Sequence, residues 1–360
     1  MPISERPDRW LARPIRSPVT GVLAYVGAPS SAIHADVLLA GLQTGMLSLL
    51  ADGLLCSALG LYLLGVRRLA RRGRSWPWAG SLAFGLGLFS VFVAVGSGLA
   101  AYDDANVTMH VVQHVLLMMV APPLIALGKP VTLLVQAGSR GVQIVALQVV
   151  NSGPIAWLSF PALAWVLYIG SMYAFFTTVV YAFSVHHPLF HDAMHAEGFL
   201  VGYLYWQPLV GLDPSRWKMA YPIRIATLFL GMPWEAFLGV TLMSSSRPIA
   251  TINTVAGTQT GGETFWILAM LVNGLALGVI VRQWFRQVER EGPREDRRLL
   301  ASSAADAARA KALVGQELPE GWSVPWWRLA ELEARQSTAS TSSRDTSAVI
   351  EQPDEGGTEG

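Results

Sequence analysis

The stretch VTMHVVQHVLLMMVAPPLIAL, Val107 to Leu127, contains no Asp, Glu, Lys or Arg. A helix needs about 20 such residues to cross the hydrocarbon core of a bilayer. The run therefore reads as a membrane span, and His110 and His114 lie in its first half. Imidazole is costly to hold near a bilayer core, so histidine there points to function. At i and i+4 the two rings share one helical face.

Six further apolar runs flank this one, at 46–65, 78–99, 155–180, 189–211, 223–244 and 263–284. Composition agrees: 52% of the 360 residues are hydrophobic, only 14% are charged, and mean hydropathy is +0.39. The expected fold is an all-α polytopic membrane bundle of about seven transmembrane helices, surrounded by lipid. Residues 1–45 read as a polar leader, 46–285 as the membrane domain, 286–335 as a helical tail and 336–360 as a disordered tail. The connection 128–153 holds an apolar piece, Val142–Val150, which reads either as an interfacial helix or as an early start of the fourth span. The net charge of +1, without a basic stripe among aromatics, gives no sign of nucleic-acid binding. The single Cys56 rules out an intrachain disulfide and any CxxC site. The arginine-bearing N-terminus lacks an apolar core followed by a cleavage site, so no cleaved signal is expected.

Loop charges set the expected orientation. The first connection carries Arg67, Arg68, Arg71, Arg72 and Arg74, the third Lys129 and Arg140, and the fifth Arg216, Lys218 and Arg224. The second and fourth carry neither Lys nor Arg, and the sixth only Arg247. The N-terminus is then outside and the C-terminus cytoplasmic. On this map every histidine is extracytoplasmic, including His34 in the leader and the second set, His186, His187, His191 and His195.

That second set opens the fifth span, with Pro188 at a favourable first helical position. His187, His191 and His195 climb one stripe. Eight residues of helix rise about 12 Å, so the three cannot share one ion. A metal site would take two of them together with His110 or His114, which requires the third and fifth spans to be neighbours. The segment from His110 resembles HExxH in spacing, but Val111 stands where the general base belongs, so a zinc-protease motif is excluded. Imidazole suits copper, zinc and iron, and thioether favours Cu(I). Met109 and Met194 each adjoin a histidine, Met118, Met119 and Met243 are further sulfur candidates, and no cysteine is near, so copper is favoured. Asp103, Asp104, Asp192 and Glu197 are candidates to orient imidazole N–H groups. Glu235, about mid-span, is a further candidate ligand or a proton relay, and both it and Asp52 should face the bundle interior. Pro122 and Pro123 should break the third span near its inner end, and Gly239 permits close helix approach. The plain alternative for either histidine set is a polar cap at the membrane interface.

Three segments carry a resemblance. MHVVQHVLLMMVAPPLIALGKP (109–130) resembles the signature span of the bacterial cytochrome c oxidase assembly factors of the multi-span CtaG type, linked to caa-type oxidases. HPLFHDAMHAEGFLVGYLYWQPLVGLDP (187–214) and YPIRIATLFLGMPWEAFLGVTLMSSS (221–246) are similar to that family's second and third signatures. The resemblance covers roughly 47–285. It implies a plasma-membrane assembly factor rather than an enzyme, handling copper through His110, His114, His191 and His195. Cytochrome c oxidase subunits would be its partners, with a copper donor protein supplying the ion. The slot filled by Glu235 is often histidine in that family, and a carboxylate there is a harder ligand for Cu(I). Two other classes stay open. Paired histidines across two spans could ligate a b-type haem. A membrane zinc hydrolase would need three ligands, an open water position and a base such as Glu235 or Glu197.

Overall fold

The computed structural model describes residues 15–16, 23–25, 41–44, 46–102, 106–185, 187–249, 254–314, 330–331 and 334–335. The expectations for Asp103, Asp104, His34, His186 and the 336–360 tail therefore lie outside the described residues. The chain divides into two compact units, Met1–Arg282 and Gln283–Gly360.

Among its described residues the first unit is mainly helical, with a three-stranded sheet of β1 (Ile15–Arg16), β2 (Leu23–Tyr25) and β3 (Gly41–Gln43). β2 pairs antiparallel with β1 and parallel with β3. The reading of the leader gave no strands. Such two- and three-residue strands are too short to leave the alternating pattern by which a strand is recognised.

The helices follow as α1 (Met46–Arg71), α2 (Trp78–Val95), α3 (Val107–Val115), α4 (Ala121–Leu127), α5 (Pro130–Ala137), α6 (Arg140–Val150) and α7 (Gly153–Leu158). Then come α8 (Pro161–Thr177), α9 (Val179–Val185), α10 (Pro188–Val210), α11 (Tyr221–Met243) and α12 (Val255–Val314). Among the described residues, five stretches are long and apolar enough to cross a membrane: Ser48–Arg71, Trp78–Val95, Val107–Ala137, Tyr221–Met243 and Val255–Ser302. Of the remaining predicted spans, α8 has 17 residues, and α10 has 23 but interrupts its apolar surface with His191, Asp192, His195, Glu197 and Gln207. The connection after α4 is itself helical, and Val142–Val150 lies within the separate helix α6.

α1 is the most exposed span, with Leu49, Leu50, Leu54, Leu61 and Leu64 facing outward. Such surface is the normal complement of lipid tails, and a large exposed apolar area in a chain of this composition fits a bilayer. Its inner face rests on a smaller core where Tyr62 stacks on Phe84 at 4.1 Å and donates to the Gly128 carbonyl at 2.8 Å. The main core is built from α3, α4, α8, α10, α11 and α12 around Tyr168, Phe176, Tyr205 and Trp206.

The prolines at 122 and 123 do not break the third span. α3 passes through one π-turn, Leu116–Val120, directly into α4. Pro122 has no N–H to give the Met118 carbonyl. The helix widens instead, and the Ala121 N–H reaches back to the Leu116 carbonyl. The freed Met118 carbonyl accepts from the Trp206 indole N–H at 3.0 Å, a buried interhelical bond from α10. Gly202, one turn before Trp206, makes this approach possible. A Cβ there would lie 2.5 Å from the Met118 oxygen, and one at Gly198 would lie 3.1 Å from Met118 Cγ. α10 is thus fixed against the π-turn, with both helices running the same way from their N-terminal ends.

Candidate metal centre

The lock at Met118 sets the register of the two histidine-bearing helices. His110 and His114 precede Met118 by two helical turns and one. His191 and His195 precede Gly198 on the facing helix. All four imidazoles converge, each with at most 6% of its surface exposed. Ring centres are 4.5 Å apart within each pair (110–114 and 191–195), and 5.2 Å apart for both 110–191 and 114–195. One nitrogen from each of His110, His191 and His195 can be chosen so that all three lie within 4.8 Å of one another. Distances of that order suit donors that close around a single ion.

The start of α3 is well fixed. Asn106 caps it, its side-chain oxygen accepting from the N–H groups of Thr108 at 3.0 Å and Met109 at 3.3 Å. Gln113 donates to the Ala94 carbonyl at 2.9 Å and ties the helix to the end of α2. Aromatic rings wall the imidazoles: Tyr181 lies 4.5 Å from His110, and Phe175 and Phe176 lie 5.0 and 5.5 Å from His114.

This enclosure leaves donors without partners. Both ring nitrogens of His110, both of His114 and Nε2 of His195 are buried with no hydrogen-bond partner. A buried polar atom left unpaired costs about 1–3 kcal/mol, so such atoms require an explanation. A histidine folded into a core for structure alone would find a carbonyl. Convergent, unpaired imidazoles are what a transition metal would satisfy.

Of the other predicted residues, His187 and Glu235 engage partners of their own. His187 is exposed, stacks on Phe183 at 3.9 Å, and places Nδ1 2.9 Å from that residue's own carbonyl. Met109 is partly buried and turned about 100° from His110 around the helix. Met194 is buried three residues after His191, on the same side of α10. Glu235 faces the interior, as expected of a mid-span carboxylate. It accepts from the Tyr168 hydroxyl at 3.2 Å and from the Asn273 side-chain amide, so its oxygens are engaged away from the imidazoles. Glu197 accepts from the Ser171 hydroxyl at 2.7 Å. Sequence reasoning missed Tyr168 and Asn273 as the partners of Glu235, and the aromatic wall of α8 and α9. Asn273 carried a signal, being an amide inside the 263–284 run. The aromatics carried none, since aromatics are ordinary in spans.

The opposite end of the bundle is basic. Arg72 donates to the Gln136 carbonyl and Arg74 to the Gln136 side-chain oxygen, each at 3.1 Å, at the far end of α2 from the imidazoles. Nearby, Asp213 reaches from the loop after α10 to the N-terminus of α5, accepting from Thr132 N–H at 2.8 Å, Thr132 Oγ1 at 2.6 Å and Val131 N–H at 3.2 Å. Burial, the largest influence, raises the Asp213 carboxyl above the usual carboxylate range, against the lowering effect of those hydrogen bonds.

Fold and site together define a polytopic helical membrane protein with a buried imidazole cluster near one end of the bundle. The model of the cytochrome c oxidase caa3 assembly factor family (Caa3_CtaG) matches residues 60–287, and the chain belongs to that family. The chain is 31% identical over 275 residues to uncharacterised proteins of Mycobacterium bovis and Mycobacterium tuberculosis, and 30% identical to one of Mycobacterium leprae. Each alignment covers 71% of this chain and 42% of the relative, so the chain spans less than half the length of these relatives. No solved structure matches it.

Proposed function

We propose that the chain is a seven-span plasma-membrane protein that holds copper for the maturation of cytochrome c oxidase, acting as a carrier and not as an enzyme. The observation that carries this reading is the convergence of His110, His191 and His195 from two spans, with His110 wholly unpartnered. Three neutral imidazoles suit copper or zinc, and family membership makes the oxidase the client. Copper is here the cargo, received from a donor protein and passed to an oxidase subunit.

The loop charges support an orientation. Arg67 to Arg74 lie at the end opposite the imidazoles, and with that basic end cytoplasmic the cluster would be extracytoplasmic, with the N-terminus out and the C-terminus in. The haem alternative is less well supported, because imidazole centres 4.5–6.0 Å apart and walled by Phe176 and Tyr181 leave no macrocycle-sized slot. A zinc hydrolase needs a base at the metal, whereas the carboxylates of Glu235 and Glu197 each accept from neighbouring side chains.

The test is the copper content of detergent-purified protein from copper-supplied cells, for the wild type and for His110→Ala and His195→Ala. A fall in bound copper with normal membrane levels is expected. Unchanged copper in the double variant would overturn the reading. Reporter fusions at the 66–77 and 184–188 connections check the orientation, and both reporting the same side would refute it.

A further inference from the structure

His114 is not one of the three residues whose donor atoms converge within 4.8 Å. Its ring is buried at 2% exposure, and neither nitrogen has a partner. The ring borders a narrow void on the inner side of the imidazole cluster, lined also by Val115, Met118, Met119, Met172, Phe176 and Phe265. This gap is closed and too narrow to hold a water, and three of the side chains that meet His114 there are thioethers.

The local structure explains why sulfur gathers there. Met118 lies one turn after His114 on the same face. The π-turn at Leu116–Val120 widens the helix where Met118 and Met119 follow one another, so both residues line the one void. Met172 enters from α8, one turn before Phe176. All three methionines have at most 2% of their surface exposed. Methionine fills irregular gaps, and three could meet by packing alone. Packing does not account for the unpaired imidazole beside them. Thioether and imidazole without carboxylate or water form a soft, neutral donor set, which selects a monovalent d10 ion over a harder divalent one.

We infer that His114, Met118, Met119 and Met172 form a second metal site, selective for Cu(I) or its analogue Ag(I), one helical turn deeper in the bundle than the three-imidazole site. It extends the copper reading above by giving the ion a softer resting place beside the first. Cu(I) entering at the imidazoles would move inward by exchanging nitrogen for sulfur, with no change of oxidation state and no proton required of the thioethers.

The experiment uses full-length protein in detergent and two probe ions. Ag(I) is accepted by both nitrogen and sulfur, whereas Co(II) is accepted by imidazole but poorly by thioether. Wild type is expected to bind two Ag(I) and one Co(II). The triple variant Met118→Leu, Met119→Leu, Met172→Leu keeps apolar volume and is expected to bind one Ag(I) and still one Co(II). His110→Ala is expected to lose Co(II) and keep one Ag(I). Retained Co(II) binding reports that the methionine variant is folded. Should it fail to fold, Met172→Leu alone serves, read by X-ray absorption of the Cu(I)-loaded protein, where the sulfur contribution should fall. A methionine variant that still binds two Ag(I), a wild type that binds only one Ag(I) which the methionine variant retains, or Cu(I) without sulfur neighbours overturns the second site. A wild type that binds no Co(II) yet takes one Ag(I), lost on methionine substitution, would overturn the three-imidazole site and leave this one standing.

Discussion

Replacing His110 with leucine should stabilise the metal-free protein and destabilise it relative to wild type once metal is present. His110 is fully buried and presents two unpaired ring nitrogens to a wall made by Tyr181 and Phe176. At the low end of the usual penalty, about 1 kcal/mol for each buried unpaired atom, removing both returns about 2 kcal/mol. Leucine has similar volume, so the cavity term is small. For a bundle of this size each kcal/mol moves the melting midpoint by roughly 2–4 °C, giving a rise of about 4–8 °C in chelator. Metal at about 100 times Kd adds roughly 2.7 kcal/mol to the wild type and little to a variant short of one ligand. The order of stabilities should therefore cross over. The assay is thermal or dodecyl-sulfate unfolding of both proteins in detergent, with chelator and with saturating Co(II). A leucine variant less stable than wild type by the same margin in both conditions would show that His110 is a packing residue, and the argument from unpaired nitrogens would fall.

Other consequences are as direct. Trp206→Phe removes the donor to the Met118 carbonyl that Pro122 leaves open, and should cost about 1–3 kcal/mol in the same unfolding assay. Gly202→Ala puts a methyl 2.5 Å from that carbonyl; it should destabilise by about 1–3 kcal/mol and lower metal content, because α10 can no longer hold His191 and His195 in register. Metal binding requires neutral imidazole, so Co(II) occupancy should fall once the pH is low enough to protonate the cluster, and fall less at higher metal concentration. Asp213 holds its proton more tightly folded than unfolded, so the stability due to it is present at low pH and lost as pH rises through its raised value. Asp213→Ala should remove that dependence from the unfolding profile and, by uncapping α5, cost about 0.5–2 kcal/mol where the wild-type carboxylate is charged.

Five of the expected spans were legible in the sequence because bilayer thickness imposes a length on any apolar run. The two histidine pairs were legible because helical periodicity puts i and i+4 on one face. What joins them was not. Both pairs lie on helices whose relative rotation depends on Gly198, Gly202 and Trp206 meeting a backbone carbonyl, and a single chain does not advertise which carbonyl is unpaired. The proline pair was read for its usual effect, a break. Reading Pro122 instead as the removal of one donor leaves the Met118 carbonyl open and asks what fills it, which is the question Trp206 answers.

That difference bears on the chemistry. A kink at Pro122 would have swung the outer half of the span away from α10, and with it His110 and His114. A π-turn absorbs the missing bond by widening one turn and keeps the axis continuous, so the imidazoles stay in register with their partners two helical turns away. The same widened turn brings Met118 and Met119 to the void beside His114. Two adjacent prolines, by what they cannot donate, thus position His110 and His114 above and Met118 and Met119 below. Restoring the donor by Pro122→Ala would let the helix return to regular i→i+4 bonding, which competes with Trp206 for the same carbonyl.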